Sequence, residues 1–123
     1  MKIPYWDSEI TIYHREDKDD GSVTWKRSAH TGCFWQAKAQ RMRMDGTEFK
    51  TASIICRILD LSSGVKIGDI IVHGNVRDEI EEYTAGKRST DLLQKYAGKS
   101  MLVADVHENV RRGPIPAHIY AGG

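Results

Sequence analysis

Several things are scarce in this 123-residue chain, and each scarcity excludes something. Cysteine is limited to Cys33 and Cys56, which allows at most one bridge and excludes a disulfide-stapled scaffold. Both fall in strand-like segments without CxxC spacing, the pattern of a reduced pair in a reducing compartment. Three prolines and eleven glycines exclude a collagen-like or low-complexity chain. Neither sign of charge dominates: 18 basic and 17 acidic residues leave a net charge of +1, so no global field attracts a polyanion. Apolar runs are only a few residues long, and the opening MKIPYWDSEI lacks the apolar core of a signal peptide. Neither secretion nor a membrane span is therefore expected. A chain of this length buries about two-thirds of its unfolded surface, enough for one small core. It is too short for a doubly wound dinucleotide fold or a (βα) barrel.

What the sequence does contain is period-two patterning. Ile10, Ile12 and His14 alternate with Thr11, Tyr13 and Arg15; after a polar stretch from Glu16 to Ser22, Val23, Trp25 and Arg27 alternate with Thr24, Lys26 and Ser28. Asp20-Gly21 marks the turn of this first hairpin. A third strand is expected from Cys33 to Met44, and Asp45-Gly46 turns it into a fourth from Thr47 to Leu59. Gly68-Asp69 feeds a short buried strand, Ile70-Ile71-Val72. Only Ser89 to Tyr96 reads as helical, with Ser89 or Thr90 as cap, Leu92, Leu93 and Tyr96 on one face, and Gly98 as terminator. Met101 to Val106 and Ala117 to Tyr120 complete seven strands. The expectation is a mainly β, single-domain barrel or sandwich over 1–123, with one short helix near 89–97 inside an insertion at about 76–99.

Enzymatic signatures are weak. Ala97-Gly98-Lys99-Ser100 ends like a phosphate loop, but Leu93 occupies the first glycine position and the expected order is helix, loop, strand rather than the reverse. Gly86-Lys87-Arg88-Ser89 has arginine where the hydroxyl belongs. The five histidines, His14, His30, His73, His107 and His118, are scattered without ligand spacing, so no metal or other cofactor is expected. Asp78, Glu79, Glu81 and Glu82 read as a solvated acidic face, and no GxSxG elbow is present. The expected answer is a protein that is not an enzyme. Basic clusters stand out instead: Arg41-Met42-Arg43, Lys87-Arg88 and Arg111-Arg112. Alternation places Arg41 and Arg43 on one side of a strand, where they form a paired cationic site for phosphate or solubilise an edge.

The order of these pieces resembles a known family. Ile10-Thr11-Ile12-Tyr13-His14-Arg15, a polar tip, Val23-Thr24-Trp25-Lys26 and Cys33-Phe34-Trp35-Gln36-Ala37-Lys38 are similar to the opening of the small head-closure and head-tail joining proteins of long-tailed bacteriophages. Val65-Lys66-Ile67-Gly68-Asp69-Ile70-Ile71-Val72-His73-Gly74 resembles their glycine-aspartate strand. The ending from Leu102 to Asn109 and Arg112 to Gly123 resembles a C-terminal hairpin of minor structural proteins in phages and prophages of Gram-positive bacteria. The stretch Val76 to Lys99 is longer than the matching connection in that family. The resemblance implies a small barrel made in the host cytoplasm and carried in the virion at the head-tail interface. Copies would form a ring, dodecameric in that family, that extends the channel for packaged DNA and docks a portal or adaptor protein to a tail or tail-terminator protein. Arg41, Arg43, Arg111 and Arg112 would then face DNA or ring neighbours, and Asp19, Asp20, Gly113 and Pro114 would lie in docking loops. The alternatives are a tail-terminator protein, a single-strand nucleic-acid module stacking bases on Tyr13, Trp25 and Trp35, and a small hydrolase using the acidic stretch and a histidine.

Overall fold

The computed structural model describes residues 7–44, 47–109 and 117–123, with 38–44, 47–52 and 109 described by their backbone. The strands are β1 (Ser8–Asp17), β2 (Val23–Met44), β3 (Thr47–Ile58), β4 (Ile70–His73), β5 (Ser100–Leu102), β6 (Asp105–Asn109) and β7 (His118–Gly122), with a helix α1 (Ser89–Lys95) between β4 and β5. They make one antiparallel sheet in the order β5-β4-β1-β2-β3-β7-β6. The fold is thus mainly β, with seven strands and one short helix, as its alternation predicts.

Curvature comes from two crossings between the halves of this sheet. The first part of β2 pairs with β1 as far as Cys33, and from Phe34 onward it pairs with β3. Gly32, with φ +69°, sits where the strand changes partner, and the β1–β2 register slips between Ser8 and Ile10. A bulge of this kind bends and twists a strand enough to carry it from one sheet layer to another. The sequence suggests two strands here; they are one strand bent at its glycine. Conversely, the stretch expected as one strand from Met101 to Val106 is two. Between β5 and β6 the Val103 amide donates to the Asp69 carbonyl and the Ala104 amide to the Gly122 carbonyl, each at 2.8 Å. β5 and β6 end the strand order yet are consecutive in the chain, so the curled half-barrel has its two edges joined covalently.

Ile10, Ile12, Cys33, Ile54, Cys56, Ile58, Ile71, Val103 and Ile119 fill the concave side, with Trp35 and Val106 against them. The opposite face of β1 and β4 is also covered. There Tyr13, Ile70 and Val72 pack with Ile80 and Leu92 of the 74–99 connection, flanked by Trp25, Val76, Leu93 and Tyr96. Burying each such aliphatic side chain contributes about 1.5–3 kcal/mol. Polar groups fasten the connection: Thr11 Oγ1 donates to Gly74 O at 2.8 Å and accepts the Val76 amide at 3.0 Å, and the Tyr13 hydroxyl donates to the Asp78 carbonyl. Burial, followed by the Asp78 charge, raises the Tyr13 pKa to about 12, so this hydroxyl keeps its proton. The helix N-cap is Arg88, one residue before the expected Ser89, because the Asp91 carboxylate reaches back to the Arg88 amide at 3.1 Å. Gly98, with φ +83°, turns the chain out of the helix and into β5.

Candidate functional site

Three features of the surface and its underlying network bear on function. The first is the far end of the β2–β3 hairpin. Residues 38–44 pair with 47–53 from Lys38↔Ser53 to Met44↔Thr47, and among the described residues no third strand joins either edge of this ribbon. Pairing of β1 with β2 stops at Cys33, and pairing of β7 with β3 covers Ile55 to Ile58. The ribbon contains Arg41 in register with Lys50 and Arg43 in register with Glu48, the rung between them being Met42↔Phe49. Isolated two-stranded ribbons are marginal in water, and their unpaired amides and carbonyls are a template for another chain.

The second feature is a groove of about 460 Å³ lying between Ser22 to Trp25 at the start of β2 and Ile80 to Thr84 of the insertion. Its walls are aromatic and its rim is acidic. Trp25 Nε1 donates to Glu82 Oε2 at 2.7 Å, the Tyr83 hydroxyl accepts the Val23 amide at 3.0 Å, and the Tyr83 side chain is 70% exposed. Glu82 is fixed from the other side by the Ser89 hydroxyl at 2.9 Å. A second cleft of about 290 Å³ has Asp78, Glu79, Lys87, Arg88 and Lys95 among its lining residues. Asp78 there accepts Lys95 Nζ at 2.6 Å and the Tyr96 hydroxyl at 2.8 Å, and these hydrogen bonds hold its carboxyl below the usual carboxylate range. An acid and base pair for hydrolysis needs one carboxyl pushed upward, whereas this one is pushed down.

The third feature is a polar array at the rim of the half-barrel that links residues far apart in the chain. Buried Asp69 accepts the amides of Arg15 and Lys66 at 3.0 Å and the Nδ1–H of His14 at 3.0 Å. The other ring nitrogen, His14 Nε2, lies 3.3 Å from Ser28 Oγ, and that hydroxyl also lies 3.1 Å from His30 Nε2. His30 in turn lies 3.6 Å from Asp60. The Asp, His, Ser order matches a nucleophilic triad, but Ser28 sits inside a ladder strand opposite Ile12 with its hydroxyl held between two imidazoles. Its structural consequence is clear: the connection from Asp60 to Asp69 is pinned to β1 and β2 at both ends. The sequence does not announce this array, because the links that tie Asp69 to β1 and His14 to Ser28 span 14 to 55 residues.

The residues selected from sequence distribute unevenly. Arg41 and Arg43 lie in the ribbon, at the other end of β2 from the Asp19-Asp20 turn. Asp19 and Asp20 occupy a tight five-residue link, shorter than the expected polar tip because β1 runs on to Asp17. Lys18 and Ser22 close it by an amide-carbonyl bond of 2.8 Å, and the Asp20 carboxylate accepts the Ser22 hydroxyl at 2.6 Å and amide at 2.9 Å. Arg111, Arg112, Gly113 and Pro114 lie outside the described residues. Tyr13, expected as a stacking residue in the nucleic-acid alternative, is 1% exposed, and Trp35 stacks on His73 at 5.1 Å. Cys33 and Cys56 are free and buried; burial pushes the Cys33 thiol up to about 11 and Cys56 higher still. Gly98-Lys99-Ser100 is a helix-to-strand turn, with the Ser100 hydroxyl donating to Tyr96 O at 3.0 Å. Among the described residues no three His, Cys, Asp or Glu side chains converge as metal ligands, and no helix is long and apolar enough to cross a membrane.

These observations define a barrel-like β domain with a helical insertion on one half and a bare ribbon on the other. The chain belongs to DUF6751, a family of unknown function whose model matches residues 5–123. Comparison with curated proteins and with solved structures returned no match.

Proposed function

We propose that the chain is a virion structural protein of a long-tailed bacteriophage, forming a homo-oligomeric ring at the head-tail interface as a head-closure or connector component. The observation that carries this reading is the two-stranded ribbon, seven residue pairs long and without a third strand among the described residues. Such an element gains stability and purpose from a partner. The resemblance of the opening strands and the glycine-aspartate strand to phage neck proteins supports the same reading. In a ring each copy presents one surface to the next, and a heterologous contact that closes by rotation needs no catalytic pocket. The ring would extend the DNA channel and join the portal or adaptor to the tail. Arg41, Arg43, Arg111 and Arg112 serve as DNA-facing or ring-contact residues in this scheme, and phosphate contact through them is independent of sequence.

Particles from a bacterium that produces the phage provide the test. Antibody against the chain should label the junction of head and tail, and deletion of its gene should give DNA-leaking heads beside normal tails. Overlong tails would point to a tail terminator instead. Intact infectious particles without the chain would overturn the proposal.

A further inference from the structure

The histidines lack ligand spacing in the sequence, yet the pairing of β1 with β2 brings two of them together. His30 and Ser28 stand opposite Ile10 and Ile12 in that ladder, and His14 follows Ile12 by two residues, so His14, Ser28 and His30 share one face of the sheet. The Nε2 atoms of both rings converge on Ser28 Oγ, at 3.3 Å from His14 and 3.1 Å from His30. The other nitrogen of each ring faces a carboxylate of the connection between β3 and β4: His14 Nδ1 lies 3.0 Å from Asp69 Oδ2, and His30 Nδ1 lies 3.6 Å from Asp60 Oδ2. The two acids sit at opposite ends of that connection. Neither imidazole is sealed from solvent, the His14 and His30 side chains being 18% and 13% exposed.

We propose that His14 and His30 bind one late first-row divalent metal ion, Zn²⁺ or Cu²⁺, through their Nε2 atoms; the site is independent of the ring reading. An imidazole that ligates such an ion through one nitrogen characteristically donates its other N–H to a carboxylate, which fixes the ring and strengthens the ligand. Both rings have that arrangement here, from two separate acids. Carboxylates on both Nδ1 atoms favour Nδ1–H on both rings, which aims two Nε2 lone pairs at a hydroxyl with a single proton. The hydroxyl satisfies one lone pair, whereas a cation satisfies both, and the two carboxylates balance its charge. Bonds of about 2.1 Å place neighbouring ligands about 3.4 Å apart in a tetrahedral shell and about 3.0 Å apart in an octahedral one. The two Nε2–Oγ separations fall between these values, so Ser28 Oγ stands at a ligand position beside the imidazoles. Only two of the ligands are from the His, Cys, Asp and Glu set, in keeping with the absence of a triple cluster among the described residues, and water completes the shell. Mg²⁺ and Ca²⁺ need oxygen ligands, while imidazole suits Zn²⁺ and Cu²⁺. His14 belongs to β1, His30 to β2 and their carboxylates to the connection, so the ion ties all three together.

The experiment uses the full chain after chelator treatment, titrated with Zn²⁺ by calorimetry and followed by thermal melting, with Mg²⁺ as the control. The expected result is one Zn²⁺ per chain and a melting temperature that rises with Zn²⁺ but not with Mg²⁺. Asp60→Asn should weaken Zn²⁺ binding about tenfold, and His14→Gln and His30→Gln by more, whereas His107→Gln, at an exposed position, should leave it unchanged. Cu²⁺ in place of Zn²⁺ should give an electron paramagnetic resonance spectrum split by two imidazole nitrogens, reduced to one in His30→Gln. Should His14→Gln fail to fold because Asp69 loses a partner, His30→Gln decides the matter, since it leaves Asp69 untouched. Zn²⁺ binding as strong in His30→Gln as in the natural chain, or a melting temperature that Zn²⁺ does not raise, would overturn the site while leaving the ring reading intact.

Discussion

The two halves of the sheet are built from similar residues but meet different surroundings. In the half made by β1, β4, β5 and the start of β2, the central strands β1 and β4 are covered on both faces, one by the barrel interior and one by the insertion. Its β4 is accordingly apolar without alternation, Ile70, Ile71 and Val72 all being fully buried. In the other half, β3 alternates: Ile54, Cys56 and Ile58 are buried, while Ile55 and Arg57 are half-exposed. Its convex side has Arg57 over the Tyr120 ring at 5.3 Å and His107 beside that ring at 5.8 Å, a face suited to water. The difference shows that covering a sheet twice changes its sequence from alternating to continuous, even inside one antiparallel fold.

Adjacent substitutions provide the strongest test of that contrast. Ile70→Ala and Ile71→Ala should each cost about 2–5 kcal/mol in chemical denaturation, since each empties a different core. In β3, Ile58→Ala should cost a similar amount but Ile55→Ala under about 1 kcal/mol, as for a surface change. Equal losses at Ile70 and Ile55 would remove the distinction between the halves. Asp69→Asn comes next, at about 2–3 kcal/mol, because one amide oxygen cannot satisfy Arg15, Lys66 and His14 together. Its loss should also raise hydrogen exchange across residues 60–69; unchanged exchange would show that the array does not pin this connection. Trp25→Phe keeps the ring but removes the bond to Glu82, for about 1 kcal/mol and faster exchange limited to the insertion. Exchange that rises equally in both halves would contradict the view of the insertion as a separately fastened cover.

Fold class, strand count and helix position were legible because periodicity is local: Ile10 and Ile12 against Thr11 and Tyr13, or Leu92, Leu93 and Tyr96 on one helical face. The errors arose where a local signal had two physical meanings. Val23 to Ser28 and Cys33 to Met44 read as two strands, yet in the fold Gly32 between them is the bend that lets one strand serve two sheet halves. Met101 to Val106 reads as uninterrupted alternation, but Val103 and Ala104 turn their amides to Asp69 and Gly122 rather than to one ladder. The Asp69, His14, Ser28 and His30 network and the groove between Trp25 and Tyr83 were not legible, because each depends on strands and loops meeting across the fold. The basic ribbon was partly legible, since Arg41 and Arg43 stand out in sequence while the missing third strand does not.

The smallest expected effect concerns the seam between the halves, where His73 of β4 stacks on Trp35 of β2 with the rings 11° apart. Burial, and then the positive charge of Lys99, hold the His73 pKa below its ordinary value of 6.5. The unfolded chain therefore binds this proton more readily than the folded one. The stability contributed by neutral His73 is fully present above the unfolded value and is lost as pH falls through the folded value beneath it. Replacing His73 with Phe keeps an aromatic ring against Trp35 but removes the titration. The stability of the natural chain relative to His73→Phe should consequently fall as pH drops below the ordinary histidine value of about 6.5, with Trp35 fluorescence changing over the same range in the natural chain alone. A difference that stays constant across this range would show that the imidazole is as free to protonate in the seam as in the unfolded chain, and that the seam between the two halves is wetter than its stacking implies.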